Sequence, residues 1–158
     1  MIVYVMGVSG TGKSTIGTLL ADQLGIPFLD GDDFHPASNV SKMSQGTPLT
    51  DEDRTPWLQN IASATRKEVG GVVVACSALK QSYRDLLAHG QERLVRWIFL
   101  TGEPEIIEER MNRRTEHFMP PGLLASQLDT LEPPTDAIHI QIDASPEAMI
   151  QEILRVLS

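Results

Sequence analysis

The chain has a single cysteine, Cys76, so it cannot close a disulfide within itself, which suits a reducing compartment. No apolar run approaches the ~20 residues that span a bilayer, and no basic, apolar leader with a cleavage site is present. A cytoplasmic protein without membrane contact is therefore expected. Positive charge is also scarce: 13 Lys and Arg stand against 21 Asp and Glu, giving a net charge of −8. That balance favours solubility and argues against a surface that coats nucleic acid. A polyanionic ligand must then meet local positive charge rather than a global field. Internal repeats, low-complexity tracts and an interdomain linker are missing as well. The 158 residues are expected to form one compact domain over 1–158.

Apolar strand-like runs alternate with helical patterns, which predicts an α/β fold with a mainly parallel sheet. Strands are expected over 2–6, 27–30, 72–76, 94–100 and 138–142. Helices are expected over 13–24, 38–43, from Thr50 or Asp51 to the Gly70-Gly71 break, and over 80–89, 104–113 and 123–131, with one more opening at Ser145. Thr50 followed three residues later by Asp53 resembles a capping box. Pro56 sits early enough in its helix to be tolerated.

The residues Gly7, Val8, Ser9, Gly10, Thr11, Gly12, Lys13 and Ser14 fit the P-loop pattern G-x-x-x-x-G-K-[ST] at every fixed position. The pattern sits between an expected strand and an expected helix, the context it needs. Its glycines let backbone N–H groups turn inward around a phosphate, and the helix end adds unpaired donors and a positive dipole. Lys13 is placed to reach the β- and γ-phosphates, and the Ser14 hydroxyl to ligate magnesium.

Two further absences narrow the class. The strand over 72–76 leads into Cys76-Ser77-Ala78, with none of the acid that many P-loop ATPases carry there for magnesium. The Asn-Lys-x-Asp that reads guanine is also missing, which argues against a guanine-nucleotide switch. The metal role then falls to Asp30-Gly31-Asp32-Asp33, at the carboxyl end of the second strand, although Asp-Gly is also ordinary turn chemistry. Alternation along an extended segment would let Asp30 and Asp32 project the same way. Arg110, Arg113 and Arg114 precede a Pro/Gly-rich stretch and could grip phosphates from a lid over 113–122, or simply complement a helix dipole. His117 and Phe118 would ride on that lid, facing substrate or solvent. Cys76 reads as a buried small hydrophobe, and Trp57 and Trp97 as core or subunit-contact residues.

Taken together, these residues resemble the gluconate kinases. The likeness runs through Gly7 to Thr15, then Asp30-Gly31-Asp32-Asp33, His35-Pro36, Asn39, Lys42-Met43, Pro48-Leu49, Asp51, Asp53-Arg54 and Pro56-Trp57-Leu58. It continues through Cys76-Ser77-Ala78-Leu79-Lys80, Tyr83-Arg84-Asp85, Arg110, Arg114, His117-Phe118, Leu124, Ser126-Gln127 and Leu131-Glu132. The segment 35–58 carries more specificity than the P-loop.

The resemblance implies a P-loop fold of the shikimate/adenylate-kinase type, dimeric, with a five-stranded parallel sheet and a short lid. It implies transfer of the γ-phosphoryl of ATP to the 6-hydroxyl of D-gluconate, with Mg2+ as cofactor. On that pattern Asp32 orients or deprotonates the acceptor hydroxyl, Asp30 holds magnesium-bound water and Ser14 ligates the metal. Thr15 belongs to the nucleotide site, Arg110 to its adenine side and Arg114 to the lid. Arg54 and Arg84, with His35, Lys42 and His117, would meet the sugar acid. Two other readings stay open at this stage: a shikimate- or adenylylsulfate-type kinase, and a nucleotide-dependent binding or switch protein.

Overall fold

A computed structural model describes residues 1–113 and 123–157. The element order is β1 (Ile2–Met6), α1 (Lys13–Leu24), β2 (Phe28–Asp30), a 3-10 turn (Gly31–Phe34), α2 (Ala37–Ser44), α3 (Asp51–Arg66) and β3 (Val72–Ala75). It continues with α4 (Gln81–Ala88), β4 (Val95–Thr101), α5 (Pro104–Arg113), α6 (Leu123–Thr130), β5 (Ile138–Gln141) and α7 (Pro146–Leu157). All strand pairs are parallel and the sheet order is β2-β3-β1-β4-β5. β1 is central and wholly buried, which explains its unbroken Ile-Val-Tyr-Val-Met run.

Two apolar layers cover the sheet. Val3, Val5, Ile98, Leu100 and Ile140 pack with Ile16, Leu20 and Ile153 on one face. Tyr4, Met6, Val74 and Trp97 pack with Leu58, Ile61 and Leu87 on the other. Trp97 belongs to this second layer, stacked on Tyr4 with ring centroids 4.7 Å apart.

α3 opens with a full capping box. The Thr50 hydroxyl accepts from the Asp53 N–H, and the Asp53 carboxylate accepts from the Thr50 N–H at 2.9 Å. Three acids in the first turn complement the helix dipole, and Pro56 is absorbed within the helix. This well-started helix carries Arg54 and Trp57 to the carboxyl edge of the sheet. α1 begins after Gly12, which adopts φ 90°, and ends at Gly25, which adopts φ 67°.

Candidate active site

The loop after β1 is wedged between the ends of its two neighbours. The Gly7 N–H points to the Ser77 carbonyl beyond β3 at 3.4 Å, and a Cβ on Gly7 would lie 2.7 Å from the Leu100 carbonyl oxygen on β4. Gly10 and Gly12 hold φ of 86° and 90°, a left-handed backbone that glycine adopts readily and that the tight turn of the loop requires. Thr11 is fully buried, and its hydroxyl donates to the Val8 carbonyl at 2.8 Å. The Lys13 ammonium reaches back to the same carbonyl at 3.2 Å. Val8 itself points into the core, while Thr15 sits exposed in the first turn of α1.

The carboxylates at the end of β2 are brought together differently from what strand alternation suggests. The chain leaves extended geometry at Asp30, whose Oδ1 accepts from the Asp32 N–H at 3.0 Å and caps the 3-10 turn. Asp30 Oδ2 accepts from the Ser14 hydroxyl at 3.2 Å. One carboxylate thus joins the P-loop helix to the turn that presents Asp32. Gly31 is required by close approach, not by a positive φ: a Cβ there would sit 2.6 Å from the Ala75 carbonyl oxygen. Asp32 is open to the cleft, yet the surrounding protein strips enough water from its carboxyl to raise its pKa. Neighbouring Asp30 adds to the rise, while Lys13 and His35 oppose it.

His35 lies on Trp57, with ring centroids 4.3 Å apart and planes 13° from parallel. The indole N–H donates to the Gly31 carbonyl at 2.7 Å, so Trp57 holds both His35 and the acidic turn. The buried Asn39 carboxamide fixes the histidine tautomer. Its Nδ2 donates to the Asp53 carbonyl at 2.9 Å and lies 3.2 Å from His35 Nδ1. A carbonyl can only accept, so the NH2 end faces both partners and Nδ1 must be unprotonated, leaving the proton on Nε2. Burial lowers the His35 pKa, the Arg54 charge lowers it further and Asp32 opposes both.

Beyond His35 lies a basic cluster. Arg54 donates through Nη1 to the Leu49 carbonyl at 2.9 Å and to the Tyr83 hydroxyl at 3.3 Å. Tyr83 in turn donates to Asp51 Oδ1 at 2.5 Å, and the Lys80 ammonium lies 3.3 Å from both Asp51 oxygens. These bonds hold the Asp51 carboxyl below its ordinary range, Tyr83 contributing most and Lys80 next. Lys42 is ion-paired with Asp53 at 2.8 Å instead of standing clear in the cleft.

Arg84 does not join this cluster as a free cation. It is 2% exposed and braces the turn after β3, donating to the Ala78 carbonyl at 2.6 Å and to the Glu132 carbonyl at 2.7 Å. Ala78 holds φ 46°, a left-handed conformation unusual for a residue with a Cβ, and Arg84 secures its carbonyl. On α5, Arg110 donates to the Ile142 carbonyl at the end of β5, and Arg113 pairs with Glu109 one turn back. The expected lid residues Arg114, His117 and Phe118 lie outside the described residues. Cys76 is buried and its thiol is pushed up to about 12, which makes it a poor nucleophile.

Trp57, Asn39, Lys80 and Tyr83 were not singled out from the sequence as site residues. Trp57 reads there as core, and 4% exposure agrees with that, but its ring edge and face both serve the cleft. Apart from its place in the family resemblance, Asn39 carries no such signal in the sequence; its burial, which obliges its amide to find partners, comes only from the fold.

A P-loop at the carboxyl end of the central strand, with Asp32 near Lys13 and His35 near both Asp32 and Arg54, marks a P-loop phosphotransferase. Residues 9–158 match the family model described as Shikimate kinase. Among curated proteins, the gluconokinase of Gluconobacter oxydans is 45% identical over 97% of this chain and 89% of its own. The thermosensitive gluconokinase of Escherichia coli is 48% identical over 88% and 78%. A solved gluconokinase from Sinorhizobium meliloti superposes with a TM-score of 0.87 at 43% identity, covering 98% of this chain and 90% of its own. The chain belongs to the gluconokinase family.

Proposed function

We propose that this enzyme transfers the γ-phosphoryl group of ATP to the 6-hydroxyl of D-gluconate. The observation that carries the reading is the family's likeness across nearly the whole chain, and it is supported by Asp32 and Arg54 both lying close enough to His35 to act on its charge. The P-loop amides and Lys13 hold the β- and γ-phosphates. Asp32 accepts the acceptor's hydroxyl proton as the O6–Pγ bond forms and the bond from Pγ to the β-phosphate oxygen breaks, releasing ADP. Its raised pKa suits that task, because a more basic carboxylate takes the proton more readily. Arg54 keeps Nη2 and Nε clear of hydrogen bonds among the described residues, so its fork is available to the substrate carboxylate. Lys42 and His35 shape the wall between these ends, and Arg110, with Arg114, serves the nucleotide.

Magnesium fits the residues present. Ser14 Oγ and Asp30 Oδ2 are hard oxygen donors already 3.2 Å apart. Among the described residues no group of three or more His, Cys, Asp or Glu forms a cage. Mg2+ characteristically takes one or two protein oxygens and completes its shell with water and phosphate. Ser14 and, through water, Asp30 would hold it, and it would neutralise phosphate charge.

No helix among the described residues is long and apolar enough to cross a membrane. A cytoplasmic homodimer is part of this reading and rests on likeness to the family; sedimentation equilibrium tests the dimer. The activity is tested by incubating the enzyme with Mg2+, ATP labelled at the γ-phosphate, and gluconate, shikimate or adenylylsulfate in turn. Label should move to gluconate. Preference for either other acceptor, or ATP turnover indifferent to all three, would overturn the proposal.

A further inference from the structure

The P-loop is fastened by a residue 118 positions away in sequence. Gln127, on α6, accepts the Ser9 N–H through Oε1 at 2.7 Å and donates from Nε2 to the Ser9 hydroxyl at 3.0 Å. Both polar atoms of one carboxamide thus engage one residue, the third of the loop. No turn or helix geometry imposes such a pairing.

The neighbouring backbone explains what the contact can do. Ser9 stands just before Gly10, whose φ of 86° is a conformation with alternatives of similar energy for glycine. Within the loop, Thr11 Oγ1 and Lys13 Nζ both reach the Val8 carbonyl, at 2.8 Å and 3.2 Å. The Lys13 bond must break for the ammonium to reach phosphate. Thr11 then holds the loop from within, and Gln127 is the side chain from a distant element that fixes the Ser9 peptide. α6 has other anchorage: its Leu124 and Leu128, with Leu131 just after it, pack against the core.

We propose that Gln127 is a positioning residue for nucleotide phosphate: it holds the Ser9 peptide so that the loop has its anion-cradling shape before the nucleotide arrives. A loop ordered in advance spares binding the entropy of ordering it. Gln127 acts through Ser9 and makes no claim on the acceptor. The inference is therefore independent of gluconate being the substrate.

The test is a double-mutant cycle read by ATP binding in the absence of acceptor. Gln127→Met keeps the length and apolar stem of the side chain and removes both polar atoms. It should weaken ATP binding by about tenfold, with kcat at saturation and the acceptor KM within about twofold of the parent. Ser9→Ala removes the hydroxyl and should weaken ATP by about threefold. The double variant should resemble Gln127→Met alone, because the two changes delete a shared contact. Additive losses, or ATP affinity unchanged in Gln127→Met, would overturn the proposal; so would a loss of kcat and acceptor affinity that left ATP binding intact. Amide exchange supplies a second reading in the same variant: Ser9 should lose protection while Ile16, bonded to the Gly12 carbonyl at 2.9 Å, keeps it. Should Gln127→Met fail to fold, Ser9→Ala alone decides, and unchanged ATP affinity there refutes the idea.

Discussion

The Trp57 indole lies under the His35 imidazole with 4.3 Å between ring centroids, and its N–H donates to the carbonyl of Gly31, one residue before Asp32. One core side chain therefore holds both His35 and the turn that presents Asp32. Trp57→Phe keeps a ring beneath His35 but leaves the Gly31 carbonyl without its partner in a buried turn. Thermal or urea unfolding should show a loss of about 1–3 kcal/mol. The acceptor KM should rise while ATP affinity changes little, because the turn that carries Asp32 loosens and the P-loop does not. Equal losses for both substrates would mean that Trp57 acts only through global stability.

Asp32→Asn preserves size and removes the proposed proton acceptor. kcat should fall by about 10²- to 10⁴-fold with ATP affinity nearly retained. Isothermal titration with a non-hydrolysable ATP analogue, alongside steady-state kinetics, separates the two quantities. A comparable loss of nucleotide affinity would reassign the residue to nucleotide or metal.

Lys13→Ala removes the ammonium proposed to meet the transferring phosphate. Turnover should drop by about 10²-fold or more while circular dichroism stays that of the parent. A loss of the parent spectrum would instead show that Lys13, which donates to the Val8 carbonyl at 3.2 Å, holds the fold.

Arg84→Met tests the two roles available to that arginine. Its guanidinium is buried against the Ala78 and Glu132 carbonyls. The variant should lose about 2–4 kcal/mol of stability by leaving both acceptors unpaired around a left-handed Ala78. A variant of normal stability with a greatly raised acceptor KM would instead make Arg84 a direct substrate ligand.

Asp53 links the packing of α2 against the start of α3 to pH. The Lys42 ion pair, and next the Thr50 N–H, hold its carboxyl down to about 2 from 3.8. A depressed folded-state pKa stabilises the native state fully above the unfolded value and ceases to do so as pH falls through the folded one. The contribution is therefore complete above about pH 4 and disappears between about 4 and 2. Asp53→Asn should lower the melting temperature at neutral pH and flatten its fall over that interval. An unchanged melting curve across the whole range would show that the pair adds nothing.

Much of this molecule could be read in one dimension because its determinants are local. The P-loop needs glycines and a lysine at fixed spacing beside a strand and a helix, and the sequence supplies them contiguously at 7–14. The capping box of α3 spans four residues, and the buried strands show as apolar runs. Asp30 and Asp32 could be named for the same reason, although the 3-10 turn that joins them, and not strand alternation, makes them neighbours.

What the sequence could not determine depends on where distant segments meet. Arg84 and Arg54 are alike as letters, yet packing buries one as a brace for the Ala78 turn and leaves part of the other's guanidinium fork toward the cleft. Trp57 and Trp97 read equally as core, and only the fold lays His35 on the first and Tyr4 on the second. Spacing along the chain states which groups are available; whether a charge is spent on a carbonyl or kept for a ligand is decided by which elements fold against it.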